Sequence, residues 1–133
     1  MKIILLFLLI LLLAKISHAE SIALNWDAPT TNVDSTPLMD LGGFKVYWGT
    51  ETGVYTNNMD VGNILCYVVS GLTVGFTYYF AATAYDTLMN ESSYSNEVNK
   101  LIASGDIGNC ALGNIHFNWK GRTKQGGFNG GFQ

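Results

Sequence analysis

Two pairs of carboxylates in this chain of 133 residues lie close enough in sequence to be read as an acid and a base, Asp86 with Glu91 and Asp34 with Asp40. General acid–base chemistry needs two such groups in environments that push their proton affinities apart. Nothing in the spacing of either pair selects that arrangement, and both fall in stretches rich in turn residues, where acids are mostly solvated. Asp27, Asp34, Asp40 and Asp60 offer oxygen ligands for calcium, without the regular spacing of a dedicated loop. Of the two histidines, His18 lies in an N-terminal leader, which leaves His116 as the one candidate base; its place in an alternating run marks it as a polar-face residue. Cys66 and Cys110 are the only cysteines. With one histidine they are too few for a zinc site, and a Ser-His-Asp device has a single candidate base. The expectation is a protein that is no enzyme and has no metal and no cofactor.

Aromatic residues are the other candidates. Tyr47, Tyr79 and Tyr85 fall on the outward positions of alternating runs, where they can form a flat platform for a sugar or a protein surface. Ordinary cross-strand pairing accounts for the same pattern.

The elements that would position these residues begin after the leader. Lys2 is followed by an unbroken apolar run over 3–14 and by Ser17-His18-Ala19, small residues at the positions a signal peptidase reads. The run is too short for the roughly 20 residues of a membrane span. Cleavage after Ala19 is expected, giving a secreted or periplasmic product with no stable membrane insertion. The whole chain has seven basic and ten acidic residues; the leader takes Lys2 and Lys15 with it, leaving five against ten. So acidic a chain is a poor partner for nucleic acid. Export also permits pairing of Cys66 and Cys110, which would close a 44-residue loop worth about 4 kcal/mol. Two free thiols fit the sequence as well, since spacing does not show that the two Cα atoms come within reach.

Short alternating runs separated by Gly, Asn, Asp and Pro predict an all-β chain. Residues 21–26 place Ile22, Leu24 and Trp26 on one face, and residues 27–43, holding both prolines, read as one long exposed loop. Strands follow over 44–48 and 66–70, with an irregular edge strand within 53–62. The longest covers 76–85, with Tyr78, Phe80, Ala82 and Ala84 on one face and Tyr79, Ala81, Thr83 and Tyr85 on the other. A polar loop over 86–92 leads to a last strand over 94–102. Six strands at this spacing imply a sandwich. Beyond Ala103 the composition changes: residues 103–133 hold eight of the fifteen glycines and three basic residues against Asp106, whereas 20–102 hold two basic and nine acidic residues. This reads as a separate tail, with strict alternation over 114–119 predicting one further strand that either folds back on its own domain, as the opposite charges of the two parts favour, or adds to a neighbouring chain.

Several motifs in this order resemble the fibronectin type III domain, in particular the single-domain kind found in exported bacterial proteins. They are Leu24-Asn25-Trp26-Asp27-Ala28-Pro29, Gly43-Phe44-Lys45-Val46-Tyr47-Trp48-Gly49, the corner from Leu72 to Tyr78, Tyr78-Tyr79-Phe80-Ala81-Ala82-Thr83-Ala84-Tyr85-Asp86, and Asn90-Glu91-Ser92-Ser93-Tyr94-Ser95-Asn96-Glu97-Val98. The resemblance implies an immunoglobulin-like sandwich over 20–102 between a signal peptide, 1–19, and a Gly-rich tail, 103–133. It makes Trp26 the core tryptophan, places Leu72 in the corner, and makes Tyr78 the corner tyrosine, whose hydroxyl bonds back to the preceding chain. The family's first strand would be truncated, Val74 stands where the family often has proline, and the Arg-Gly-Asp tripeptide is not present. The implied function is a non-catalytic binding or adhesion module of the bacterial cell envelope, with a protein or carbohydrate partner. The alternatives are a structural or assembly subunit using the tail strand and an accessory domain of a secreted enzyme system. Asn90-Glu91-Ser92 is a glycosylation sequon only in a eukaryotic secretory pathway.

Overall fold

A computed structural model describes residues 19–31 and 36–118. The proposed leader before Ala19, Asp34 with its pairing to Asp40, and Trp119 with the rest of the tail lie outside the described residues.

Runs with apolar side chains on alternate positions form seven strands: β1 (Glu20–Trp26), β2 (Leu41–Gly49), β3 (Asn57–Gly62), β4 (Cys66–Leu72), β5 (Thr77–Asp86), β6 (Val98–Leu101) and β7 (Ile115–Phe117). They make two sheets, ordered β4-β1-β7 and β3-β2-β5-β6, an all-β arrangement of the sandwich type. The alternation decides what lies between the sheets. Ile22, Leu24 and Trp26 of β1, Val69 and Leu72 of β4 and Phe117 of β7 are buried with Phe44 and Val46 of β2 and Phe80, Ala82 and Ala84 of β5. Trp26 is central, its ring 5.5 Å from Phe44 and 6.2 Å from Phe117. Each large side chain removed from water in this way contributes on the order of 1.5–3 kcal/mol.

Two strand boundaries differ from the sequence expectation by more than two residues. β2 starts at Leu41, inside the stretch read as loop, and Gly42 and Gly43 permit this. A Cβ on Gly42 would lie 2.5 Å from the Asp86 carbonyl oxygen, and one on Gly43 would lie 2.5 Å from the Tyr85 hydroxyl oxygen. The last strand of the large sheet starts at Val98 rather than at Tyr94, because two serines replace the ladder beside β5. The amide of Ala82 donates to Ser95 Oγ and that of Ala84 to Ser92 Oγ, both at 3.0 Å. The amides of Ser95 and Ser92 return bonds of 2.8 Å to the carbonyls of Ala82 and Ala84.

The composition break at Ala103 does not coincide with a break in packing. Residues 103–114 cross the outer face of the small sheet. There the Ser21 amide donates to the Asp106 carbonyl at 3.0 Å, and the Gly108 amide to Ser21 Oγ at 2.9 Å. Ala23, on the outer face of β1, is fully buried, and a Cβ on Gly108 would lie 2.8 Å from its amide nitrogen. A Cys66–Cys110 disulfide, with Cα atoms 5.8 Å apart, ties this strap to β4. The chain then returns as β7, parallel to β1, with Leu24 opposite Ile115 and Trp26 opposite Phe117.

Candidate functional site

The outer face of the large sheet carries the densest set of polar and aromatic side chains. Register places Lys45 opposite Thr83, Tyr47 opposite Ala81 and Gly43 opposite Tyr85, so Lys45, Tyr47, Thr83 and Tyr85 share that face. Held by Ser92 and Ser95, residues 91–97 run along β5 and turn Glu91, Tyr94 and Glu97 toward the same side.

Glu91 gathers three donors. Lys45 Nζ reaches Oε2 at 2.6 Å, Thr83 Oγ1 donates to Oε1 at 2.6 Å, and the Tyr47 hydroxyl donates to Oε1 as well. Burial alone would raise the Glu91 pKa, but the bonds from Lys45, Thr83 and Tyr47 outweigh it and hold the carboxyl below its ordinary range. Burial and the bond to Glu91 push the Tyr47 phenol up to about 12, so it stays a neutral donor. Glu97 is held in a similar way. Thr52 Oγ1 donates to it at 2.6 Å, and the Gly53 amide and Tyr55 hydroxyl each donate at 2.7 Å. Gly53 presents its amide at φ 69°, a backbone conformation that suits glycine. Burial, then the bond to Glu97, raises the Tyr55 pKa.

Between the two carboxylates three tyrosine rings meet. Tyr94 lies 5.0 Å from Tyr47 and 5.2 Å from Tyr55, both edge-on, and Tyr47 and Tyr55 are 6.3 Å apart. Edge-to-face contacts of this kind are worth about 0.5–1.5 kcal/mol beyond area burial. They fix the orientation of Tyr94, which is still 50% exposed.

The flat platform of Tyr47, Tyr79 and Tyr85 expected from the sequence is not assembled. Tyr85 is only 8% exposed. Its ring lies against Gly43, its hydroxyl donates to Asp60 Oδ1 at 2.9 Å, and Lys45 Nζ sits 5.9 Å from its centroid. Tyr79 stands opposite Gly49 and Asn99, two positions along β5 from the residue opposite Tyr47 but six from Tyr85, about 20 Å along the strand. Alternation assigns a face, not a lateral neighbour. Tyr55, Tyr94 and Glu97 are the members that sequence reasoning missed. One signal was present: Glu91, Tyr94 and Glu97 recur at every third residue, in step with Ser92 and Ser95, a period that does not belong to a strand.

The other candidates are placed apart. The Asp86 carboxylate is 1% exposed and accepts the amides of Leu88 and Asn90 and the side chain of Asn90, each at 2.8 Å. Burial would raise its pKa, but these bonds prevail and lower it. It anchors a turn and shares no partner with Glu91 in those bonds. The same bonds occupy Asn90 of the sequon. Asp40 lends only its carbonyl, to the Thr87 amide at 2.8 Å. His116 Nε2 lies 3.4 Å from Asp27 Oδ2, with both side chains at least half exposed, a pairing worth little in water. Among the described residues no three His, Cys, Asp or Glu side chains group as metal ligands. Trp26 and Leu72 lie in the core, and the Thr73 amide donates to the Tyr78 hydroxyl at 3.4 Å.

No family model matches the chain, and no solved structure matches it. A Kelch domain-containing protein of Saccharolobus solfataricus is 30% identical over 69 residues, which is 52% of this chain and 8% of that protein. The chain therefore spans a small fraction of this relative's length.

Proposed function

We propose that the chain is an exported, non-catalytic binding module of the cell envelope whose protein or carbohydrate ligand docks on the outer face of the large sheet around Tyr94. The observation that carries the reading is a half-exposed aromatic ring held by two others, whose hydroxyls are bonded to Glu91 and Glu97. A ring ordered before binding loses little entropy when a ligand arrives. Against catalysis stands the state of Glu91: its three donors favour the ionised form, whereas a general acid at neutral pH needs a raised pKa. The leader sequence supports export, and no helix of the described residues is long and apolar enough to cross a membrane.

The fibronectin type III reading belongs to the same proposal. If β1 is the family's second strand and β2 its third, then β1 and β4 share one sheet while β2, β5 and β6 share the other, the division expected of immunoglobulin-like sandwiches. β7 then takes the flank of β1 that the truncated first strand leaves open. That placement turns the tail strand toward its own domain, so the binding reading is preferred to the assembly reading.

The test is binding of the exported chain to cell-envelope fractions, compared with Tyr94→Ala and Tyr79→Ala. The expected result is at least a tenfold loss for Tyr94→Ala and none for Tyr79→Ala. Equal retention of both variants would overturn the assignment of the face.

A further inference from the structure

We propose that the ligand of this face is a neutral saccharide, one sugar ring of which lies on Tyr94, and that acidic glycans are refused. The inference rests on the binding reading and names the ligand class for that same site.

The hydrogen-bond donors narrow the choice first. Tyr47, Thr83 and Lys45 bond to Glu91, while Thr52, the Gly53 amide and Tyr55 bond to Glu97. Lys45 Nζ also stands 5.9 Å over the Tyr85 ring. An anionic ligand has to give up its water, and it finds these donors engaged and two carboxylates beside it. Like charges brought together across an interface are strongly unfavourable.

A cationic ligand gains little more. Every oxygen of both carboxylates already accepts a bond from the chain. Glu91 has its own ammonium 2.6 Å away, and a further exposed ion pair adds little in water. What the cluster leaves room for is a ligand without charge.

Shape selects among neutral ligands. Tyr94 is half exposed, and contacts of 5.0 Å and 5.2 Å with Tyr47 and Tyr55 fix its ring. A stable protein interface covers about 800 Å² on each partner, around a core depleted in Lys, Glu and Asp. Here one exposed ring is bordered by Lys45, Glu91 and Glu97, so a core of that kind is not available. A sugar ring fits instead. Its C–H face is apolar and matches one aromatic ring in size, and its hydroxyls lie round the edge. Those hydroxyls can donate to the hydroxyl oxygens of Tyr47 and Tyr55, which give their protons to carboxylates and keep acceptor capacity.

The test digests envelope material exhaustively with protease, separates its glycans by anion exchange into neutral and acidic fractions, and measures binding of the full exported chain to each. Binding to the neutral fraction is expected, with an affinity that changes by less than about twofold between low salt and about 1 M salt. Tyr94→Ala should weaken it by about tenfold or more. The salt series uses the parent chain, so it reads the ligand's charge even if Tyr94→Ala misfolds. Binding confined to the acidic fraction, or to undigested protein, would overturn this inference and leave the binding reading standing. Neutral-fraction binding kept in a folded Tyr94→Ala would overturn the placement on Tyr94. No binding to any fraction, digested or undigested, sinks the binding reading itself and this inference with it.

Discussion

Replacing both Cys66 and Cys110 with serine tests the strap most directly. The bond closes a loop of 44 residues, and the chain-entropy relation gives about 4 kcal/mol for a loop of that length through its effect on the unfolded chain. The folded state changes less. The strap keeps its bonds from Ser21 to Asp106 and from Gly108 to Ser21, and β7 keeps its pairing with β1. Unfolding entropy for a sandwich of about 100 residues is about 0.2 kcal/mol/K, so 4 kcal/mol corresponds to a fall in Tm of about 20 °C. Circular dichroism melts of the double variant, and of the unmodified chain with and without reductant, measure it. The near-ultraviolet spectrum at 15 °C should be unchanged while the melt moves down by that amount. A shift below 5 °C would refute the loop argument. So would a fall accompanied by loss of the native spectrum, since the bond would then be holding the folded state together.

Ser95→Ala removes the acceptor of the buried Ala82 amide and should cost about 1–3 kcal/mol, the usual penalty for an unsatisfied buried donor; an unchanged denaturation midpoint would show that the serine ladder is not what holds residues 91–97 on β5. Acid titration of stability reads Glu91. Its folded pKa lies below the unfolded value of about 4.3, so its contribution is complete above that value and disappears as pH falls through the folded pKa. Glu91→Gln should therefore be less stable than the parent at neutral pH and should lose less on acidification, and parallel stability curves for the two chains would contradict the network drawn around it.

The all-β, two-sheet architecture was legible because it depends on period two, and Ile22, Leu24 and Trp26 or Phe80, Ala82 and Ala84 display that period without interruption. The long loop was misjudged at Leu41 because glycines weaken a strand signal, yet at Gly42 and Gly43 they are what allows β5 to approach. The site was legible only in its strand-borne half. Tyr47 could be assigned to an outward face from alternation, but its neighbours Tyr55 and Tyr94 come from a turn and from a segment with a period of three. Contacts between such segments are set by tertiary register, which Ser92 and Ser95 fix through side chains. The change of composition at Ala103 does not mark where packing ends. Glycine content marks chain flexibility in isolation, whereas Gly108 serves here to bring backbone against Ala23.

The two outer faces of the sandwich are treated in opposite ways, and this narrows where a partner can bind. Over the small sheet the strap buries Ala23, the disulfide pins it to β4, and β7 covers the free edge of β1, so that face is occupied by the chain itself. Over the large sheet residues 91–97 are bonded to Ala82 and Ala84 yet leave Tyr94 half exposed, with Glu91 and Glu97 on either side. The Asn96–Asn118 clasp joins the covered face to the open one, because the same chain that closes the small sheet arrives at the border of the tyrosine cluster. A change that frees the strap should therefore also be felt at Tyr94. If Cys66→Ser with Cys110→Ser lowers stability but leaves envelope binding at its original strength, the clasp alone holds residues 111–118 at the border of the open face; if binding falls with it, the disulfide acts on that face through residues 111–118.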